Sequence, residues 1–260
     1  MDEVIISKAI TESYIKDLLD FMDVDVAIVG AGPSGLAAGY YLAMKGIKTA
    51  IYEKRLSVGG GMWGGGMMFS RIVVQSEAVE ILYEFEITAK EYQKGYYVAD
   101  AVEAVSALCL RSLKAGVRIF NLLTAEDVMI RENDKVTGLV LNWSAVPLAN
   151  LHVDPLAIRS KLVIDATGHD AEVCRIVARK TGQKLASETG EVVGEKPMWA
   201  EVGERELVAN TKEVYPGLLA TGMAVNAVFG FPRMGPIFGG MLLSGKRAAE
   251  LATSLLEHTG

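Results

Sequence analysis

The chain holds three histidines, and two of them fall close together, in His152-Val153-Asp154-Pro155 and in Gly168-His169-Asp170. Imidazole beside carboxylate, with coordination positions left open, is the donor set that non-haem Fe(II) uses when substrates must also reach the metal. Asp154 and His169 are the candidate ligands. His152 lies two residues before Asp154, on the same face of an extended segment, so it is a third candidate catalytic residue. The alternative is loop histidines bonded to backbone with no metal between them. His258, near the C-terminus, reads as a surface residue. A second group is the arginine of Phe231-Pro232-Arg233-Met234-Gly235-Pro236. A guanidinium in an apolar, glycine-rich segment can hold a small carboxylate bidentately, or it can tie down backbone carbonyls or an ion pair.

A third group reads as a phosphate and ribose site. Gly30-Ala31-Gly32-Pro33-Ser34-Gly35 follows a run of branched residues from Val24 to Val29 and opens a helical stretch to about Lys45. Lys48 to Glu53 then reads as a second strand, completing a βαβ unit. Gly30 allows the tight turn, Gly32 lets the backbone approach a pyrophosphate, and the helix N-terminus offers oriented N–H groups to the anion. Glu53 can accept from both ribose hydroxyls, which disfavours a 2′-phosphate, so NAD or FAD is expected rather than NADP. Lys54 and Arg55 follow as phosphate contacts or as a solvated pair. The stretch 59–70, GGGMWGGGMMFS, has too many glycines for regular structure and reads as a binding loop.

The elements that must position these groups follow from periodicity. Ile10, Tyr14, Leu18 and Met22 mark an amphipathic helix over 8–22, able to cover a sheet edge or a neighbour. Further elements are a helix over 99–115, a strand from Val117 to Phe120, and a hairpin of Val128–Ile130 with Val136–Trp143. Buried-type strands follow from Leu162 to Ala166 and from Leu218 to Thr221, and a closing helix runs from about Gly239 to Glu257. The expectation is one dinucleotide-binding domain over 1–260, with an N-terminal helix (1–23) ahead of the first strand. The formal charge of −6 and the lack of dense Lys/Arg runs argue against nucleic-acid or anionic-membrane partners. The N-terminus has no secretory pattern, and apolar stretches break before the roughly 20 residues of a membrane span. Two cysteines, Cys109 and Cys174, without CxxC spacing give neither a disulfide framework nor a thiolate zinc site, and a cytoplasmic location is expected.

This order of elements resembles the two-dinucleotide-binding-domain flavoproteins, an α/β Rossmann-like fold with a β-hairpin or meander insert. In those proteins the late strand normally ends in Gly-Asp, whose acid holds the flavin. Here Ala220-Thr221-Gly222-Met223 stands in that place without the acid. An FAD-dependent oxidoreductase remains the alternative. Taken together, GAGPSG, the Glu53-Lys54 pair, the GGGMWGGG loop, HVDP, ATGHD and GFPRMGP closely resemble the thiamine thiazole synthase family. The resemblance implies that NAD is a substrate: it loses nicotinamide, and its ADP-ribose condenses with glycine and takes up sulfur. The product is the ADP-linked 5-(2-hydroxyethyl)-4-methylthiazole-2-carboxylate. It implies that Ser34, Glu53, Lys54, Gly61, Ala125 and Met223 line the dinucleotide beside Gly30, Gly32 and Gly35. Arg233, Met234 and Gly235 would hold the glycine, and Asp154 and His169 the Fe(II). It also implies homo-octamers with sites shared between protomers. Fungal and plant relatives carry a sulfur-donating cysteine where this chain has His152. The closer likeness is therefore to the archaeal-type branch, which uses free sulfide over many turnovers.

Overall fold

The computed structural model describes residues 1–182 and 184–258. Helix α1 (Glu3–Asp20) is capped by Asp2, whose carboxylate accepts from the backbone N–H of Val4 at 2.8 Å and of Ile5 at 3.1 Å. Strand β1 (Asp23–Val29), helix α2 (Pro33–Met44) and strand β2 (Thr49–Glu53) form the expected βαβ unit, with β1 and β2 parallel. Next come β3 (Arg71–Gln75), α3 (Ser76–Glu84), β4 (Ala89–Gln93), β5 (Tyr96–Asp100), α4 (Ala101–Ala115) and β6 (Arg118–Asn121). The hairpin is β7 (Leu123–Arg131) with β8 (Lys135–Trp143). A short α5 (Ala145–Leu148) leads to β9 (Leu156–Asp165), and then α6 (Glu172–Thr181), α7 (Ala200–Ala209), β10 (Lys212–Tyr215) and β11 (Leu218–Ala220). Helices α8 (Met223–Phe229) and α9 (Gly239–Glu257) close the chain.

The main sheet runs β10-β11-β9-β1-β2-β6, and the β7-β8 hairpin joins it through β8 pairing with β9. From β11 through β6 the neighbours are parallel, the arrangement in which both faces are covered and strands read as near-continuous apolar runs. Accordingly Val26, Ile28, Leu162 and Ile164 pack into one core with α2, α4 and α9. Ala27, Val29 and Val163 pack into a second core with α6 and α8 on the opposite face. Full burial of a side chain such as Ile28 contributes about 1.5–3 kcal/mol. The fold is thus the Rossmann-like dinucleotide-binding α/β fold with a meander insert.

Strand β9 is longer than the sequence reading. Its C-terminal part from Leu162 is continuously buried and pairs with β1 and β11, while Leu156 to Lys161 alternates in burial and Leu156 to Arg159 pairs antiparallel with β8. Residues 99–100 belong to β5 rather than to the helix, and β3, β5 and β4 form a separate antiparallel sheet that periodicity did not single out. Helix α1 does lie at a sheet edge: Tyr14 stands edge-on to Phe120 of β6, and Asp17 pairs with Arg118 at 3.3 Å. Val4, Ile5, Ile10 and Leu19 of the same helix stay exposed. Among the described residues, no helix is long and apolar enough to cross a membrane.

Candidate functional site

A cavity of about 490 Å³ opens at the C-terminal ends of β1, β2 and β9, where an α/β sheet of this kind receives its ligand. Gly30, Gly32, Ser34, Glu53, Lys54, Gly61, Ala125, Met223, His169, Arg233, Met234 and Gly235 all line it. Gly35 stands behind the wall and makes the turn possible, because a Cβ there would lie 2.0 Å from the Gly30 carbonyl oxygen. Gly30 itself has φ +101, a conformation that glycine adopts at no cost. Glu53 is buried, and its carboxylate accepts from Ala31 N and from Arg55 N, both at 2.8 Å, so the acid shapes the phosphate loop as well as facing the cavity. Lys54 is ion-paired with Glu172 in the first turn of α6.

His169 is delivered by the turn after β9. The fully buried Asp165 accepts from Thr167 N at 3.0 Å, from Thr167 Oγ1 at 2.6 Å and from Cys174 N at 2.9 Å. Thr167 Oγ1 in turn accepts from Glu172 N at 2.7 Å. One carboxylate thereby pins the whole loop from which the imidazole projects. The imidazole Nδ1 lies 2.8 and 2.9 Å from the two oxygens of Glu195. Glu195 Oε2 is also 3.8 Å from Arg233 Nε. The Arg233 backbone is fixed too: its N–H donates to the Lys196 carbonyl at 3.1 Å, its carbonyl accepts from Trp199 N at 2.9 Å, and buried Asn226 donates to the Pro232 carbonyl at 3.0 Å. Glu195 was not singled out from sequence. Its signal would have been an acid in the segment that precedes the arginine motif, which spacing alone does not tie to a histidine 26 residues earlier.

His152 and Asp154 are exposed in the loop before β9, and neither lines the cavity. Ten residues of extended chain separate that loop from His169's turn, on the order of 30 Å at about 3.3 Å per residue. One chain therefore brings a single candidate ligand, His169, into the cavity. Among the described residues, no group of three His, Cys, Asp or Glu side chains could hold a metal ion. Imidazole and carboxylate are donor types that suit Fe(II), but Asp154 and His169 do not meet within one chain.

Cys174 is buried in α6, and burial, followed by the nearby Asp165, pushes its thiol well up. Cys109 is half-buried on α4 and also raised by burial. Neither lines the cavity.

Glu204 of α7 holds the start of α9, between the cavity-lining residues Phe238 and Met241. Its Oε2 accepts from Gly240 N at 2.6 Å and from Gln75 Nε2 at 2.7 Å, while Glu204 Oε1 and Gln75 Oε1 are buried without a hydrogen-bond partner. Burial outweighs those two donors and raises the carboxyl from 4.5 to about 7, with the charge of Glu77 adding to the rise. Between these values the folded state holds a proton that the unfolded chain has released. Stability therefore falls as pH rises through that window, by about 3 kcal/mol in all, and is level above it. Glu204→Gln keeps the acceptor for Gly240 and removes the titration. Thermal melts at pH 5 and pH 8 are expected to show a smaller loss in the variant than in the wild type, and equal losses would show that Glu204 is not the group responsible.

A parallel sheet with a glycine turn, a buried acid at the second strand end and a cavity across the strand tips defines a dinucleotide-binding protein. The chain belongs to the Thi4 family, whose sequence profile matches residues 7–238. It is 60% identical over 257 residues to a thiamine thiazole synthase of Methanothermobacter thermautotrophicus, covering 99% of each chain. To that of Pyrococcus furiosus it is 56% identical over 249 residues, 96% of each. The crystal structure of Thermovibrio ammonificans THI4 superposes with a TM-score of 0.97 at 54% identity, covering 99% of both chains. Family membership places the chain among the enzymes of thiazole formation in thiamine biosynthesis.

Proposed function

We propose that the chain converts NAD, glycine and free sulfide into the ADP-linked 5-(2-hydroxyethyl)-4-methylthiazole-2-carboxylate, releasing nicotinamide and turning over repeatedly with Fe(II) bound. The observation that carries this reading is one cavity uniting a phosphate loop, Glu53, His169 and Arg233 with no cysteine among its described lining residues. The phosphate loop and the start of α2 would take the pyrophosphate, and Glu53 the adenosine ribose. Arg233 pairs with Glu195 through Nε, so its terminal Nη groups are not consumed by that contact and suit the glycine carboxylate. His169 would hold the metal from this chain and Asp154 from a neighbouring protomer of a homo-octamer. When bound, Fe(II) supplies Lewis acidity that lowers the proton affinity of sulfide. Exposed apolar side chains stand beside both half-sites: Leu148, Leu151 and Val153 near Asp154, and Met198 and Trp199 along the Arg233 segment. Such grouping marks a surface that another protein covers, which supports a shared site.

The test is anaerobic mass spectrometry of purified protein with NAD, glycine, Fe(II) and sulfide, omitting each in turn. Many adenylated thiazoles per chain, dependent on added sulfide, are the expected result. Intact NAD with a yellow protein carrying FAD would overturn the proposal in favour of the flavin oxidoreductase.

A further inference from the structure

Glu195 is the least solvent-exposed partner in both of its contacts. Its side chain is 12% exposed, against 51% for His169 and 57% for Arg233. It stands on a segment laced to the 227–233 stretch by backbone bonds from Gly194 N to the Ala227 carbonyl at 2.8 Å and from Lys196 N to the Phe231 carbonyl at 3.0 Å. The acid is therefore the fixed member of the trio, and the two side chains that face the cavity lean on it. A carboxylate on Nδ1 accepts that nitrogen's hydrogen, so the neutral ring must keep its lone pair on Nε2. The same carboxylate stands beside the guanidinium of Arg233, holding the arginine and the histidine at one spacing.

We propose that Glu195 is the positioning residue of this site. It locks His169 in the Nδ1–H tautomer with Nε2 directed to a metal, and it sets the distance from that nitrogen to the carboxylate-binding arginine. Carboxylate–histidine–metal relays of this kind are worth 10–100-fold in metal affinity. The tautomer part stands on geometry alone, while the metal part rests on the reading given under Proposed function.

With three histidines in the chain, 15N-histidine-labelled protein gives a sparse magic-angle-spinning NMR spectrum, and His169→Gln assigns the relevant ring. The wild type, metal-free and at a pH where the ring is neutral, is expected to show His169 protonated on Nδ1. Glu195→Ala is expected to move that proton to Nε2, and Glu195→Gln, which keeps an acceptor, to leave it in place. Titration with Co(II) alone, followed by its visible absorption, is expected to give an affinity about 10–100-fold weaker for Glu195→Ala and near wild type for Glu195→Gln. NAD affinity should fall less than Co(II) affinity in Glu195→Ala, because the contacts of Glu195 are with His169 and Arg233 and not with the glycine turn or Glu53. An Nε2–H ring in the wild type overturns the proposal without any variant, and so does unchanged Co(II) affinity in Glu195→Ala. A wild type that binds no Co(II) but shows the Nδ1–H ring overturns the metal reading and leaves Glu195 as the residue that orients the imidazole.

Discussion

Co-expressed His169→Ala and Asp154→Ala chains, carrying different tags and purified as mixed assemblies, are expected to recover about a quarter of wild-type thiazole formation, the share of sites left intact by random mixing in a closed oligomer. Each variant alone should fall at least ~100-fold, beyond what losing an outer partner of a metal ligand costs. The reason lies in β9. His169 leaves its C-terminal end into the cavity, and Asp154 precedes its N-terminal end in an exposed loop, with the full strand between them. No side-chain rotation closes on the order of 30 Å. If both residues hold one ion, they come from different chains, and an assembly containing both variants regains some sites with an intact aspartate from one partner and an intact histidine from the other. A mixture no more active than its components, measured anaerobically with Fe(II) and sulfide in excess, would show that the two residues do not share a site. Either variant keeping wild-type activity alone would remove that residue from the ligand set.

Much of this arrangement was legible because local chemistry and global architecture agree. Val24 to Glu53 reads as strand, glycine turn, helix and strand, since burial on both faces demands branched apolar runs and the turn demands glycine. The closing helix is found over Gly239–Glu257, as periodicity gave it. What escaped notice follows from weaker signals. Leu156 to Lys161 alternates in burial but not in residue type, reading as three apolar residues and then three polar ones, so the strand signal began only at Leu162, β9 looked short and Asp154 looked near His169. The sheet of β3, β4 and β5 is built partly from exposed residues such as Tyr92 and Tyr96, whose pattern carries little periodic contrast. Glu195 is a matter of tertiary placement: a glutamate in a loop becomes informative only once the chain sets it against an imidazole. His152, chosen because it neighbours Asp154, shares that residue's distance from the cavity of its own chain.

Two glycines of the phosphate loop separate what the fold needs from what the ligand needs. In Gly35→Ala the new methyl would sit 2.0 Å from the Gly30 carbonyl oxygen, which is backbone and cannot rotate away. The turn must open, at about 4 kcal/mol, in the upper range for a single substitution. For a chain of this length that lowers the melting temperature by about 10 °C, and the displaced loop should bind NAD at least ~100-fold more weakly. Gly32→Ala is the contrasting case. At φ −76 and ψ −178 the backbone suits any residue, and a Cβ there meets nothing within 4 Å. Its melting temperature should stay within about 2 °C of wild type. The space that the methyl enters is the approach to the start of α2, where a pyrophosphate must come against backbone N–H groups. NAD affinity should therefore still fall ~100-fold, about 2.7 kcal/mol, with the fold intact. Calorimetric NAD titration alongside thermal melts reads both quantities. A Gly32→Ala protein that binds NAD as the wild type does would show that the dinucleotide lies elsewhere in the cavity, and a Gly35→Ala protein with an unshifted melt would show that the turn is looser than its 2.0 Å approach requires.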